Sequence, residues 1–298
     1  MKEKPLIFKR VSQLMDALDL PKPQHPLAAL LNYDLNKIAE KYAGKYFLID
    51  LYKVSFKRKF SGKVKYGRGY YDFEEGGLAF LAPNQLVRMS DATDHDEGFT
   101  LYFHADLIQR YPLHKTILKY GFFSYGISEA LFMSDKEKKV IETLFNAIAI
   151  ELDQHIDQFS QDILVSQIEL LLNHSNRFYN RQFLTRKEVY NGLIEQMNDY
   201  LQERLNQPGL PSVQELAAHL KVSPRYLTDL LKSLTGQSTQ QHIHDKLIEK
   251  AKNILATSNL SIAEIAYALG FEHPQSFNKL FKKLTHISPG AYRQSFRE

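Results

Sequence analysis

Two stretches near the C-terminal end set hydrogen-bonding and basic side chains at helical spacing. They are Arg225, Thr228, Asp229 and Lys232 in one, and Gln275, Ser276, Asn278, Lys279, Lys282 and Lys283 in the other. Guanidinium, carboxamide, hydroxyl and carboxylate groups can bond base edges in a major groove, and ammonium groups can neutralise phosphate. Covalent or metal chemistry finds no comparable seat. The absence of cysteine excludes thiolate nucleophiles, disulfides and every zinc site built on Cys. No Gly-x-Ser-x-Gly elbow occurs, and Gly67-Arg68-Gly69 and Gly76-Gly77 fall in strand and turn sequence rather than before a helix. His242 and His244 stand two apart on a helix and so point apart, while His95 and His104 are isolated. No catalytic residue, no cofactor and no metal is expected.

The elements that must position those side chains form an internal repeat of about 50 residues. Ser212 to Leu220 matches Ser261 to Leu269 at Ser, Glu, Ala and Leu; after a one-residue shift, Pro224 to Lys232 matches Pro274 to Lys282. Each copy reads as a capped helix, a tight turn and a second helix. Ser212 and Ser261 are N-caps with Glu215 and Glu264 three residues on, and their place at helix N-termini also suits phosphate. Ala217 and Ala266 allow close approach of the paired helices. Gly270 supplies a left-handed turn residue, whereas Lys221 in the first copy implies a strained or differently shaped turn. The second helices, residues 223–234 and 274–285, divide into an apolar stripe (Leu227, Leu230, Leu231, Leu234; Phe277, Leu280, Phe281, Leu284) and a polar, mostly basic face. Ser238 to Thr257 reads as one long helix holding the copies apart.

Upstream, Lys45 to about His104 is rich in aromatic and β-branched residues broken by turn signals. It predicts strands over Tyr46–Phe56, Lys63–Phe73, Gly77–Leu81 and Gly98–His104 in a sandwich or small barrel. A capping box at Ser134 opens a helix through Ile141, Phe145, Ile148 and Leu152, and a second runs from about Gln158 to Tyr179 through Ile163, Ile168, Leu171 and Leu172. These helices either cap the sheet or carry a dimer seam. Arg177–Arg186 is polar and reads as a linker. Residues 1–180 carry 23 basic and 23 acidic side chains and residues 181–298 carry 15 and 11, so the excess positive charge lies in the C-terminal part, as a polyanion partner requires. The basic N-terminus has too short an apolar stretch for a signal peptide and no run suits a membrane span, so a cytoplasmic protein with no membrane partner is expected. Arg68 and Tyr70, with neighbouring Lys57, Tyr66 and Tyr71, could line a pocket for an anionic or sugar-like effector.

Residues 190–296 resemble the DNA-binding domain of AraC/XylS-type transcriptional regulators. The resemblance rests on both copies, on Ile265-Ala266-Tyr267-Ala268-Leu269-Gly270-Phe271, on Phe277 to Lys283, and on Ser288-Pro289-Gly290-Ala291-Tyr292-Arg293. It implies an α+β protein. An N-terminal cupin-like β-barrel with two following helices (1–180) would sense a small molecule or dimerise, and an all-α domain (181–298) would place its two helix-turn-helix units in successive major grooves. Arg225, Thr228, Asp229, Gln275, Ser276, Asn278 and Lys279 would then read bases, and Ser212, Lys232, Ser261, Lys282 and Lys283 would meet phosphate. The implied partners are double-stranded DNA, a small-molecule effector, RNA polymerase and a second copy of the chain. A cupin enzyme with an appended DNA-binding domain, and a regulator whose N-terminal half only dimerises, are the alternatives. Lys221 and Asp229 depart from the family's pattern; Asp229 lies four residues after Arg225, where it could orient that guanidinium or accept from a cytosine amino group, and failing both it would repel phosphate.

Overall fold

The computed structural model describes residues 5–32, 45–59, 63–66, 69–72, 77–88, 97–126, 129–185 and 187–296. The chain divides into two compact units, Met1–Gln182 and Phe183–Glu298. Among the described residues the first unit contains strands β1 (Leu6–Phe8), β2 (Ala28–Asn32), β3 (Tyr46–Ile49), β4 (Tyr52–Lys59), β5 (Lys63–Tyr66), β6 (Gly69–Asp72), β7 (Gly77–Leu81), β8 (Gln85–Arg88), β9 (Glu97–Phe103) and β10 (Leu131–Phe132). Its helices are α1 (Val11–Ala17), α2 (Leu113–Thr116), α3 (Asp135–Leu152) and α4 (Ser160–Thr185).

The strands make a five-stranded antiparallel sheet, β10-β7-β4-β9-β2, a three-stranded sheet, β1-β3-β8, and the hairpin β5-β6. No pairing among the described residues joins β10 to β2, so the described strands do not close the expected cupin-like barrel. The single strand expected over Tyr46–Phe56 is two strands in different sheets: Asp50 N–H, donating to Phe8 O at 2.8 Å, still follows β1, and from Tyr52 the chain pairs with β9 and then β7 instead. Val54 pairs with Phe80 and Leu101, and these buried side chains share the core face; on the other face, Ser55 and Thr100 join their hydroxyls at 3.1 Å.

Helix α3 begins in the capping box of Ser134 and Glu137 and lays Phe145 against Phe56 and Phe99, with centroids 6.0 and 5.5 Å away. In α4 the buried face runs through Leu164, Val165, Ile168, Leu171 and Leu172, while Ile163 is exposed. The polar stretch read as a linker continues this helix to Thr185. Its burial explains why: Phe178, Tyr179 and Gln182 fall on the inner face, Gln182 accepting from Phe132 N–H at 2.8 Å and Arg181 donating twice to Glu137. No described helix is long and apolar enough to cross a membrane.

The second unit is helical: α5 (Lys187–Arg204), α6 (Val213–His219), α7 (Pro224–Thr235), α8 (Thr239–Thr257), α9 (Ile262–Ala268), α10 (Pro274–Thr285) and α11 (Pro289–Gln294). Two cores alternate along α8. Near its start Ile243 joins Met197, Leu201, Leu216, Ala217, Leu227 and Leu231; farther on, Leu247, Ala251 and Leu255 join Ile265, Ala266, Phe271, Phe277 and Phe281. A helix of 19 residues is about 28 Å long, which keeps the two cores distinct on one rod.

Candidate nucleic-acid interface

The two helix-turn-helix units are α6–α7 and α9–α10, and their local geometry repeats bond for bond. Ser212 accepts from Glu215 N–H at 3.1 Å and Ser261 from Glu264 N–H at 3.2 Å, while each Glu carboxylate accepts from the N–H of its serine. The serine N–H bond is the first cause holding both carboxyls below their usual range. These carboxylates sit where a phosphate at the helix N-terminus would, so Ser212 and Ser261 are first of all caps. Both turns are Schellman motifs. Val222 N–H reaches Ala217 O and Lys221 N–H reaches Ala218 O, as Phe271 and Gly270 do with Ala266 and Tyr267. Lys221 therefore takes the same left-handed conformation as Gly270, with φ of 59° against 91°, and the first turn is strained rather than reshaped.

Gly270 answers a second demand. A Cβ there would stand 2.5 to 2.8 Å from the backbone of Gly209 and Leu210, in the α5–α6 loop. That loop is held by Arg204, which donates to Pro208 O and Gly209 O at 3.1 Å, and by Lys250 of α8, which donates to Leu205 O and Asn206 Oδ1. Sequence reasoning missed Arg204 and Lys250, since both act on residues distant in sequence or in a loop; the Pro208-Gly209 turn is the signal that was available.

Helix α10 presents Gln275, Ser276, Asn278, Lys279, Lys282 and Lys283 to solvent, opposite buried Phe277 and Phe281. Leu284, expected in the apolar stripe, is exposed at the last turn. Helix α7 is less open. Arg225 Nε donates to Asp229 Oδ2 at 2.9 Å, so the anion on this face orients the guanidinium; Thr228 donates to Pro224 O and meets Thr239 at 3.1 Å, which ties that hydroxyl to the helix and to the rod. Lys232 is exposed one turn on. The structure thus brings each set of expected contacts onto one helix face, with the second copy richer in uncommitted donors and cations.

His242 shares a hydrogen bond with Thr235 Oγ1 at 2.9 Å and His244 with Gln240 at 2.8 Å; burial lowers both pKa values, and Lys283 lowers that of His244 further. No group of three or more metal-ligating side chains occurs among the described residues. Arg68 and His95 lie outside the described residues, and Tyr70 is described only as backbone of β6.

Residues 216–295, spanning both units, match the family model of a helix-turn-helix domain. The chain is similar to the MmsAB operon regulatory protein of Pseudomonas aeruginosa, 33% identical over 36% of this chain and 33% of the relative. It is also similar to the raffinose operon transcriptional regulatory protein RafR of Pediococcus pentosaceus, 36% identical over 34% of this chain and 37% of RafR. The C-terminal part of the chain is an AraC-type helix-turn-helix domain. The chain spans only about a third to a half of the length of the curated relatives it matches. Among solved structures, the C-terminal domain of the two-component response regulator yesN from Fusobacterium nucleatum is 31% identical over 34% of this chain and 98% of that one, with a TM-score of 0.32.

Proposed function

We propose that this protein is a DNA-binding transcription regulator whose α7 and α10 read base edges in successive major grooves on one side of a duplex. One observation carries the reading: two units of the same capped helix, Schellman turn and second helix stand on one rod, with polar faces on the second helices. Major-groove edges distinguish all four base pairs by donors and acceptors, which the side chains of Arg225, Thr228, Asp229, Gln275, Ser276, Asn278 and Lys279 can match. Lys232, Lys282 and Lys283 neutralise phosphate, while Ser212 and Ser261 act as the caps that hold the first helix of each unit. The operon regulators named above, each similar to this chain over about a third of its length, support the assignment.

In this reading the first unit senses a small molecule, a second copy and RNA polymerase are further partners, and the protein works in the cytoplasm. Selection of bound duplexes from a random pool by the full chain tests the core of it. The expected product is a motif of two half-sites centred roughly 10 base pairs apart. Binding without sequence preference, or a single half-site untouched by changes in α7, would reject it.

A further inference from the structure

We infer that a cleft in the first unit is a binding site for a small, uncharged, mostly apolar molecule. The cleft, of about 300 Å³, lies between the segment after α1, the edge strand β2 and the C-terminal turn of α3. This deepens the sensing part of the proposed function and rests on it.

Its walls are apolar and set in advance. Helix α1 ends in a Schellman turn: Asp19 has a φ of 55° and Leu20 N–H donates to Met15 O at 3.0 Å, which aims Leu20 at the cleft. Pro21 and Pro23 follow with their φ angles locked, so little conformational freedom is lost when a ligand packs on them. Ala149 and Leu152 of α3 face them.

Three polar residues join the lining. Gln24 donates to Asp153 Oδ1 at 3.1 Å across the mouth. His25 is buried, and its Nδ1 accepts from Leu27 N–H at 3.2 Å, so the neutral ring carries its proton on Nε2 as a donor. Burial lowers the pKa of His25, which keeps the ring neutral near pH 7. Among the described residues, no Lys or Arg lines the cleft. Among the described lining residues an anion would meet the Asp153 carboxylate with no cation to balance it, and a full charge held against the apolar walls would lose hydration. An alkyl or aryl body with one hydrogen-bond acceptor satisfies every wall. The anionic or sugar-like effector suggested by Arg68 and Tyr70 does not fit this cleft.

The test uses the full chain and a matched pair of probes, octan-1-ol and octanoate at pH 7.5, each titrated while the melting temperature is followed. Octan-1-ol should raise the melting temperature saturably, and octanoate should bind at least about 10-fold more weakly. Ala149→Phe should abolish saturable binding and the milder Ala149→Leu should weaken it, with helical circular dichroism and DNA affinity retained as the check on folding. Equal affinity for the two probes, binding unchanged in both variants, or no saturable binding of octan-1-ol would each overturn the site. Saturable, variant-sensitive binding that leaves DNA affinity unchanged would keep the site and reject the sensing role.

Discussion

At the scale of residues, Gly270 shows what type and spacing reveal and what they conceal. Its left-handed φ was legible from its place in the turn; its contact with Gly209, 61 positions earlier, was not, because only the fold brings the α5–α6 loop there. Gly270→Ala should therefore lose about 2 to 4 kcal/mol, from a left-handed Cβ and from forced displacement of backbone. Lys221→Gly should gain up to about 1 kcal/mol, since the same conformation there becomes free of strain. Urea unfolding of residues 183–298 measures both, and equal effects at the two turns would contradict the asymmetry. On the polar face, Gln275→Ala should cost ~1 to 3 kcal/mol on one preferred duplex and little on others, whereas Lys282→Ala should weaken all duplexes alike. Asp229→Asn removes an anion from the face and releases Arg225, so nonspecific affinity should rise while preference at one base pair falls; competition binding with single-site operator variants reads both.

The elements of the second unit were legible because their signals are local. Capping boxes, Pro at the start of α7 and α10, and apolar stripes all act within a few residues. The polar stretch Arg177–Arg186 holds the boundary between the two units, yet it is helical to Thr185, because its exposed face shows in the sequence while the burial of Phe178, Tyr179 and Gln182 depends on partners elsewhere. The same locality sets a pH response. His242 and His244, at the start of α8, have lowered pKa values, so their neutral forms are favoured in the fold. Their contribution is fully present above the unfolded pKa of about 6.5 and is lost as pH falls below it. Glu215 and Glu264 are lowered as well, so their contribution is lost only as pH falls below about 4.5. Thermal melts of residues 183–298 should show a first decline as pH falls below about 6.5, absent in His242→Gln/His244→Gln, and a second below about pH 4.5 that persists in that variant.

For the whole molecule, the second unit contains both of its cores and both polar helix faces, so residues 183–298 should fold and bind duplex DNA alone. If about 6 to 10 phosphates are neutralised, affinity should fall by roughly 10³ to 10⁵ between 50 and 200 mM salt, measured by fluorescence anisotropy. A folded fragment with salt-independent affinity would contradict the interface. The amino-acid sequence by itself determined the repeat, the caps, the long rod and the two-faced helices, because short-range hydrogen bonding and 3.6-residue periodicity write each of them into a few neighbouring positions. Only the tertiary structure decided that the described strands of the first unit do not close a barrel, that the Gly209 loop packs against the turn of the second copy, and that a cleft forms beside β2. Each of these depends on contacts between residues far apart in the chain, whose pairing no local pattern specifies.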